Sequence, residues 1–368
     1  MAPTSQEVAE KLSDLPPSAK FVYKTLERHG RMTQKELTEE TLLSARTTRY
    51  GIKQLESVGV IETAPSLSDA RQTCYGLTTA SETGTEYATD ALVEAEWVAD
   101  RLPAFADEDP ALRLVEVDAD PNSYEEAHVP GAVGFTWDED LVGQTKRGLP
   151  ERSAFETLLG EHGITDESTV VLYGDESNWF AAYAYWLFTY YGHDDLYLLN
   201  GGRNYWLAND FETTTDVPSY TPREYRARGP FEHVRAVRRD VEEALTGGKR
   251  LIDVRNEEEY TGAELAPPGK EVTAQVGGHI PGAIHVAWSE TVGDDGRFKS
   301  RSDLAALFRD RNVTEDGEFI VYCRLGERSA LAWFVLSELL GYDDVSNYDG
   351  SWTEWGNLVD APVETPES

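Results

Sequence analysis

Cys323 is followed by Arg324-Leu325-Gly326-Glu327-Arg328-Ser329, an order of residue types suited to nucleophilic chemistry. The apolar, β-prone run Phe319-Ile320-Val321-Tyr322 precedes it, and a helical pattern from Ala330 to Leu340 follows. Cys323 therefore stands where a buried strand ends and a helix begins. Loop N–H groups and the helix N-terminus can converge there and form an anion site. The same field lowers a thiol pKa and populates the thiolate, the nucleophilic form. Arg324 and Arg328 add fixed positive charge, and Gly326 lets the backbone curl inward. The expectation is a cysteine nucleophile beneath an anionic substrate. An inert buried cysteine does not require a glycine and two arginines at such a junction.

The elements that must position this loop recur in the chain. Leu112 to Asp118 reads as a buried strand, and so does Leu251 to Arg255. Each is followed by His-x-Pro-Gly-Ala, first at His128-Val129-Pro130-Gly131-Ala132 and again at His279-Ile280-Pro281-Gly282-Ala283. Further on the halves align without gaps: Tyr173 with Tyr322, Leu187 with Leu336, Gly192 with Gly341, Gly201 with Gly350 and Trp206 with Trp355. Short apolar strands alternate with helical stretches in each half, which predicts two α/β bodies with mainly parallel sheets flanked by helices. Ligands of such sheets bind at the carboxyl ends of the strands, where Cys323 falls. The predicted bodies are residues 91–212 and 234–368, joined by a linker at 213–233 that is rich in Thr, Pro and Arg. Glu82 to Arg101 reads as a polar helical connector with a thin stripe of Leu92, Val93, Trp97 and Val98.

Bulk composition narrows the setting. The chain has 67 acidic against 33 basic residues and a net charge of −34. Such a surface repels nucleic acid and membrane headgroups unless a local patch reverses it, and it suits a very salty cytoplasm where screening removes self-repulsion. Cys74 and Cys323 are the two cysteines, which is no disulfide framework. Met1 to Lys11 has no apolar signal core, and the apolar run Phe180 to Tyr191 is too short to span a bilayer. A cytoplasmic protein without a membrane partner is expected.

Residues 1–90 differ, carrying 10 basic and 13 acidic residues. Ser18 caps a predicted helix Ala19–His29, Thr33 and Glu36 form a capping box for Gln34–Glu40, and Ser44 caps Ala45–Val58. Val60–Thr63 and Thr73–Leu77 read as strands, with a wing at Ala64–Gln72 and Cys74 as a small core residue. This order resembles the winged helix-turn-helix domains of transcription regulators, an α+β fold. In that family the third helix enters the major groove. Here it carries Arg46, Arg49 and Lys53 at i, i+3, i+7, and Arg71 lies in the wing. The resemblance implies a DNA partner; a protein partner or a solvated helix face are the other readings of a modest basic stripe.

The larger part of the chain resembles the tandem-domain rhodaneses, the thiosulfate sulfurtransferases. The match rests on Asp253-Val254-Arg255, Gly278 to Ala283, Tyr322 to Ser329, and Asn347-Tyr348-Asp349-Gly350-Ser351-Trp352-Thr353-Glu354-Trp355. In that family the second domain is catalytic, and here Gly174, Asp175 and Trp179 stand opposite Cys323, Arg324 and Arg328. The resemblance implies that Cys323 takes the outer sulfur of thiosulfate as a persulfide and passes it to cyanide or a thiol. No separate cofactor or metal is expected. Loop N–H groups from Arg324 to Ser329 (with Leu325, Gly326 and Glu327 between) would hold the persulfide, and Arg324 and Arg328 the sulfonate. Ser329 would cap the helix. Trp179 and Phe180 look like the family's apolar wall facing the cysteine, and Asp253 and Arg255 would brace the loop. Related cysteine phosphatases use Cys-x5-Arg, whereas Cys323 to Arg328 is Cys-x4-Arg, a tighter loop that suits sulfur. Arg324 fits thiosulfate better than mercaptopyruvate, whose enzymes usually carry a small residue there. A sulfur-responsive transcription regulator and a 3-mercaptopyruvate sulfurtransferase are the rival expectations. His128 recurs in the half without the cysteine, so it and His279 read as structural.

Overall fold

The computed structural model describes residues 15–29, 32–41, 43–58, 60–65, 73–77, 87–143 and 148–365. The chain forms two compact units, Met1–Thr85 and Glu86–Ser368.

Among the described residues, the first unit holds three helices, α1 (Pro17–His29), α2 (Gln34–Thr41) and α3 (Ala45–Ser57), and three short strands, β1 (Met32–Thr33), β2 (Ile61–Pro65) and β3 (Thr73–Leu77). The strands pair antiparallel in the order β1-β3-β2. The sequence reading omitted β1, because two residues carry no periodicity. Ala19, Val22, Leu26, Leu37, Ile52 and Leu55 form the core of this winged helix. The capping box is present: Glu36 Oε2 accepts from the Thr33 N–H (2.6 Å) and the Glu36 N–H donates to Thr33 Oγ1 (3.3 Å). Arg46, Arg49 and Lys53 are exposed on α3. Arg71 and the wing tip, 66–72, lie outside the described residues.

In the second unit, β4 (Leu92–Val93), β5 (Leu112–Asp118), β6 (Ala132–Thr136), β7 (Thr169–Tyr173) and β8 (Leu196–Leu199) form one sheet, with α4 (Trp179–Tyr190) between β7 and β8. A second sheet holds β9 (Arg235–Ala236), β10 (Arg250–Asp253), β11 (Ile284–His285), β12 (Phe319–Tyr322) and β13 (Val345–Tyr348); α5 (Glu257–Thr261) follows β10, and α6 (Glu327–Phe334) follows β12. The orders β4-β8-β7-β5-β6 and β9-β13-β12-β10-β11 are the same topology twice, and every strand pair is parallel. Parallel strands covered on both faces read as continuous apolar runs; Phe319 to Tyr322 are all fully buried. Leu92 and Val93 extend the first sheet rather than a connector helix, and among the described residues of 82–101 the helix is Ala95–Ala99, with 82–86 outside them. A short strand followed by a short helix produces the same sparse apolar stripe as one amphipathic helix.

The two bodies pack through α4 and α6. All but two residues of α4, Trp179 and Thr189, are buried, because one side covers its own sheet and another meets the second body. Tyr185 and Phe334 meet edge-on, their ring centres 4.9 Å apart. Residues 213–233 run along the first body, where the Tyr220 hydroxyl lies 2.7 Å from Phe105 O and 2.8 Å from Gly131 O. Among the described residues no helix is long and apolar enough to cross a membrane.

Candidate active site

Cys323 is the first residue after β12 and is fully buried. Gly326 precedes α6 at φ 111°, a conformation favouring glycine, and a Cβ there would lie 3.1 Å from both Cα and O of Asp349. That turn directs the Gly326 N–H to Cys323 Sγ at 3.1 Å. The Ser351 hydroxyl accepts from the Cys323 N–H (3.1 Å) and lies 4.0 Å from Sγ. Trp352 N–H donates to Cys323 O and Thr353 N–H to Arg324 O, each at 3.0 Å, so the segment after β13 clamps the loop from behind.

The residues expected to bind substrate divide by role. Arg328 is buried and held by Glu259 of α5 in a two-pronged pair at 2.7 and 3.0 Å. Arg324 donates from Nη1 to Glu271 O at 2.6 Å. Both arginines keep a buried Nε–H without a hydrogen-bond partner. Leu325 lines a cleft of about 440 Å³ together with Trp137, Tyr183, Arg235, Asp349 and Thr353. Ser329 does not cap the helix. It lies within α6, with its hydroxyl 2.7 Å from Asn347 Oδ1 and 3.1 Å from Gly326 O, while Asn347 Nδ2 donates to that same carbonyl at 3.2 Å. Glu327 points at the nucleophile: the Cys323 thiol donates to its Oε2 across 3.4 Å.

This arrangement corrects the expected electrostatics. Burial is the main reason that the thiol pKa rises above its ordinary value, and the Glu327 carboxylate raises it further; Arg328, the Gly326 N–H and Ser329 oppose this without reversing it. Burial and Glu327 therefore favour the thiol, whereas the loop dipoles and arginines alone favour the thiolate. Counting cations near a cysteine omits the desolvation of the thiolate.

Asp253 and Arg255 pair within hydrogen-bond distance, the shortest approach being 2.5 Å, and Arg255 Nη2 reaches Gly278 O at 2.7 Å. The guanidinium lies 4.4 Å over the ring of Trp352, the residue whose backbone N–H holds Cys323 O. Trp179 starts α4, 5.7 Å from Arg328 Cζ, and meets Trp288 edge-on at 4.6 Å. Phe180 packs against Trp137 at 5.3 Å. The indole N–H groups of Trp137, Trp179 and Trp288 are buried without a partner. His128 and His279 occupy the same setting in each half, stacked on Tyr124 and Tyr260 with Nδ1 at that tyrosine's carbonyl (2.8 and 2.9 Å).

At the equivalent loop of the first body, a Cβ on Gly174 would lie 2.2 Å from Val117 O, so a cysteine cannot occupy that backbone as it stands. Glu176, Ser177 and Asn178 follow with positive φ of 47°, 57° and 67°, unlike the catalytic-type loop. Glu259, Trp288, Asn347 and Ser351 complete the site of the second body, and the sequence reading assigned them no role. Asn347 and Ser351 lay within a segment already singled out. The Asn256–Glu259 capping box opens α5, a spacing the sequence reading did not use and one that would not have revealed the partner of Arg328.

Comparison with known proteins matches this geometry. The rhodanese-like domain profile fits residues 95–209 and again 237–358, and the winged helix-turn-helix DNA-binding profile fits residues 22–62. A Haloferax volcanii protein named "Putative thiosulfate sulfurtransferase" is 57% identical over 279 residues, which cover 76% of this chain and 98% of that one. The sulfur carrier protein TtuD of Thermus thermophilus is 44% identical over 76% of this chain and 98% of its own. Among solved structures, the anaerobic ergothioneine biosynthesis enzyme from Chlorobium limicola, in complex with trimethyl histidine, superposes with a TM-score of 0.66 at 27% identity over 75% of this chain and 70% of that one. The chain belongs to the rhodanese family of sulfurtransferases, with two rhodanese-like domains behind an N-terminal winged helix-turn-helix domain.

Proposed function

We propose that this sulfurtransferase takes its sulfur from thiosulfate and delivers it to a thiophilic acceptor, cyanide or a thiol, through a persulfide on Cys323. The observation that carries this reading is a buried Sγ receiving the Gly326 N–H in a loop whose two arginines each keep a buried Nε–H with no hydrogen-bond partner, that of Arg328 lying 3.7 Å from Glu327 Oε1. The outer sulfur of thiosulfate is zero-valent and accepts an electron pair as sulfite leaves, and the sulfonate needs donors. Attack by the Cys323 sulfur forms the new S–S bond as the old one breaks, and sulfite leaves with the bonding pair. The Gly326 N–H then faces the persulfide, and the indole wall of Trp179 and Trp288 excludes water that would compete for it. An acceptor takes the outer sulfur and returns Cys323. Arg324 stands where the family's mercaptopyruvate enzymes usually carry a small residue, which favours the dianion thiosulfate. In steady-state assays with cyanide, thiosulfate should support a kcat/KM at least about tenfold above that for 3-mercaptopyruvate, a difference of ~1.4 kcal/mol in transition-state binding. A reversed preference would make mercaptopyruvate the donor.

A second reading rests on a separate observation, the exposed Arg46, Arg49 and Lys53 on α3 of the winged helix. In this reading the domain binds DNA and the sulfur state of Cys323 modulates it. The full chain should then retain genomic fragments at low salt. Replacing all three residues by alanine should weaken retention and reduce the salt slope by roughly 1 for each phosphate that is no longer neutralised. Equal retention by wild type and triple variant at every salt concentration would leave α3 without a DNA role.

A further inference from the structure

The loop places a carboxylate within hydrogen-bond reach of the nucleophile. Glu327 Oε2 is 3.4 Å from Cys323 Sγ, and the Glu327 side chain is only 3% exposed. The family resemblance assigns loop positions to substrate anions, and a carboxylate beside an incoming dianion is unfavourable unless it has another task. We infer that Glu327 is the proton acceptor for the Cys323 thiol and stores that proton for the lifetime of the persulfide. This rests on the sulfur-transfer reading above and supplies the proton accounting which that reading lacks.

Charge balance in the buried loop supports this assignment. The groups facing Sγ from α6 are Glu327, Arg328 and Ser329; Glu259 of α5 stands behind Arg328, and Ser351 faces Sγ from the segment after β13. Glu259 already neutralises Arg328. The thiol with the Glu327 carboxylate carries one negative charge. Loss of the proton to bulk water would leave two adjacent buried negative charges, which desolvation and repulsion both oppose. Transfer to Oε2 keeps the pair at one negative charge. The Sγ–H bond breaks and the proton joins Oε2. Sγ then bonds to the outer sulfur, and sulfite leaves as the dianion. What remains is a persulfide anion beside a neutral Glu327. When the acceptor removes the outer sulfur, the Cys323 thiolate takes the proton back. No external acid, base or redox partner is needed. The Gly326 N–H holds the sulfur while the proton is away, and Arg328 Nε lies 3.7 Å from Glu327 Oε1, on the other oxygen.

The test uses the full-length protein and Glu327→Gln, which keeps the shape and removes the basicity. The burst of sulfite release on mixing with thiosulfate should slow by about 10²-fold, the lower range for a positioned general base. Alkylation of Cys323 by neutral iodoacetamide near neutral pH should also be slower in the variant. If Glu327 acts only as a neighbouring charge, its removal makes the thiolate easier to form and the variant alkylates faster. That sign would overturn the proposal. A wild-type enzyme that alkylates faster than the variant yet releases no sulfite would instead remove thiosulfate as donor and leave the role of Glu327 standing. Infrared difference spectra of the wild type, persulfide minus resting, need no folded variant. Loading with polysulfide, if thiosulfate does not load, should produce a protonated-carboxyl band. Its absence would refute proton storage on Glu327.

Discussion

Cys323→Ser should lose sulfur transfer from thiosulfate by at least about 10⁴-fold, to the floor of the assay, with the fold retained. The serine hydroxyl is nearly the same size and can still receive the Gly326 N–H that Sγ receives at 3.1 Å. It cannot form a persulfide, because an alkoxide is far harder to generate in a fully buried position than a thiolate and oxygen has little affinity for divalent sulfur. The first body offers no replacement, since Gly174 stands at the equivalent place with Val117 O where a side chain would have to begin. Urea unfolding of the variant should agree with wild type within ~1 kcal/mol, which separates lost chemistry from lost structure. Retained turnover would mean that the sulfur travels by another route.

Arg328→Met should be the most destabilising single change in the site, by about 3–5 kcal/mol. Arg328 and Glu259 are each 1% exposed and joined by two hydrogen bonds, so removing the guanidinium strands a buried carboxylate. Adding Glu259→Gln should recover part of the loss, giving a coupling energy that a double-mutant cycle reads directly. An unfolding midpoint unchanged in Arg328→Met would contradict the pair's role in holding the loop.

The legible parts of this protein were the contiguous ones. The strand Phe319–Tyr322, the turn at Gly326 and the helix that follows adjoin in sequence, so their residue types alone place a cysteine at a strand end. The duplicated topology was legible because it imposes one spacing on several aromatic and glycine positions. What was missed comes from crossovers. Glu259 lies 69 residues before Arg328 and reaches it only because β10 and β12 are sheet neighbours. Trp288 enters from after β11, and Asn347 and Ser351 from β13 and the turn behind it. The upward direction of the Cys323 shift was missed for a related reason. The favourable terms, loop dipoles and arginines, are local and visible in a motif, whereas burial is the sum of everything packed around Sγ. Glu327 was visible all along, but a sequence does not show whether a side chain at the first turn of a helix faces solvent or the nucleophile.

The central claim is that Cys323 carries sulfur taken from thiosulfate. Mass analysis of the full-length protein after thiosulfate and removal of excess donor tests it most directly. The account predicts a gain of one sulfur atom on the peptide containing Cys323, matched by one released sulfite and reversed by cyanide with formation of thiocyanate. No gain on that peptide, or the same gain in Cys323→Ser, would contradict it.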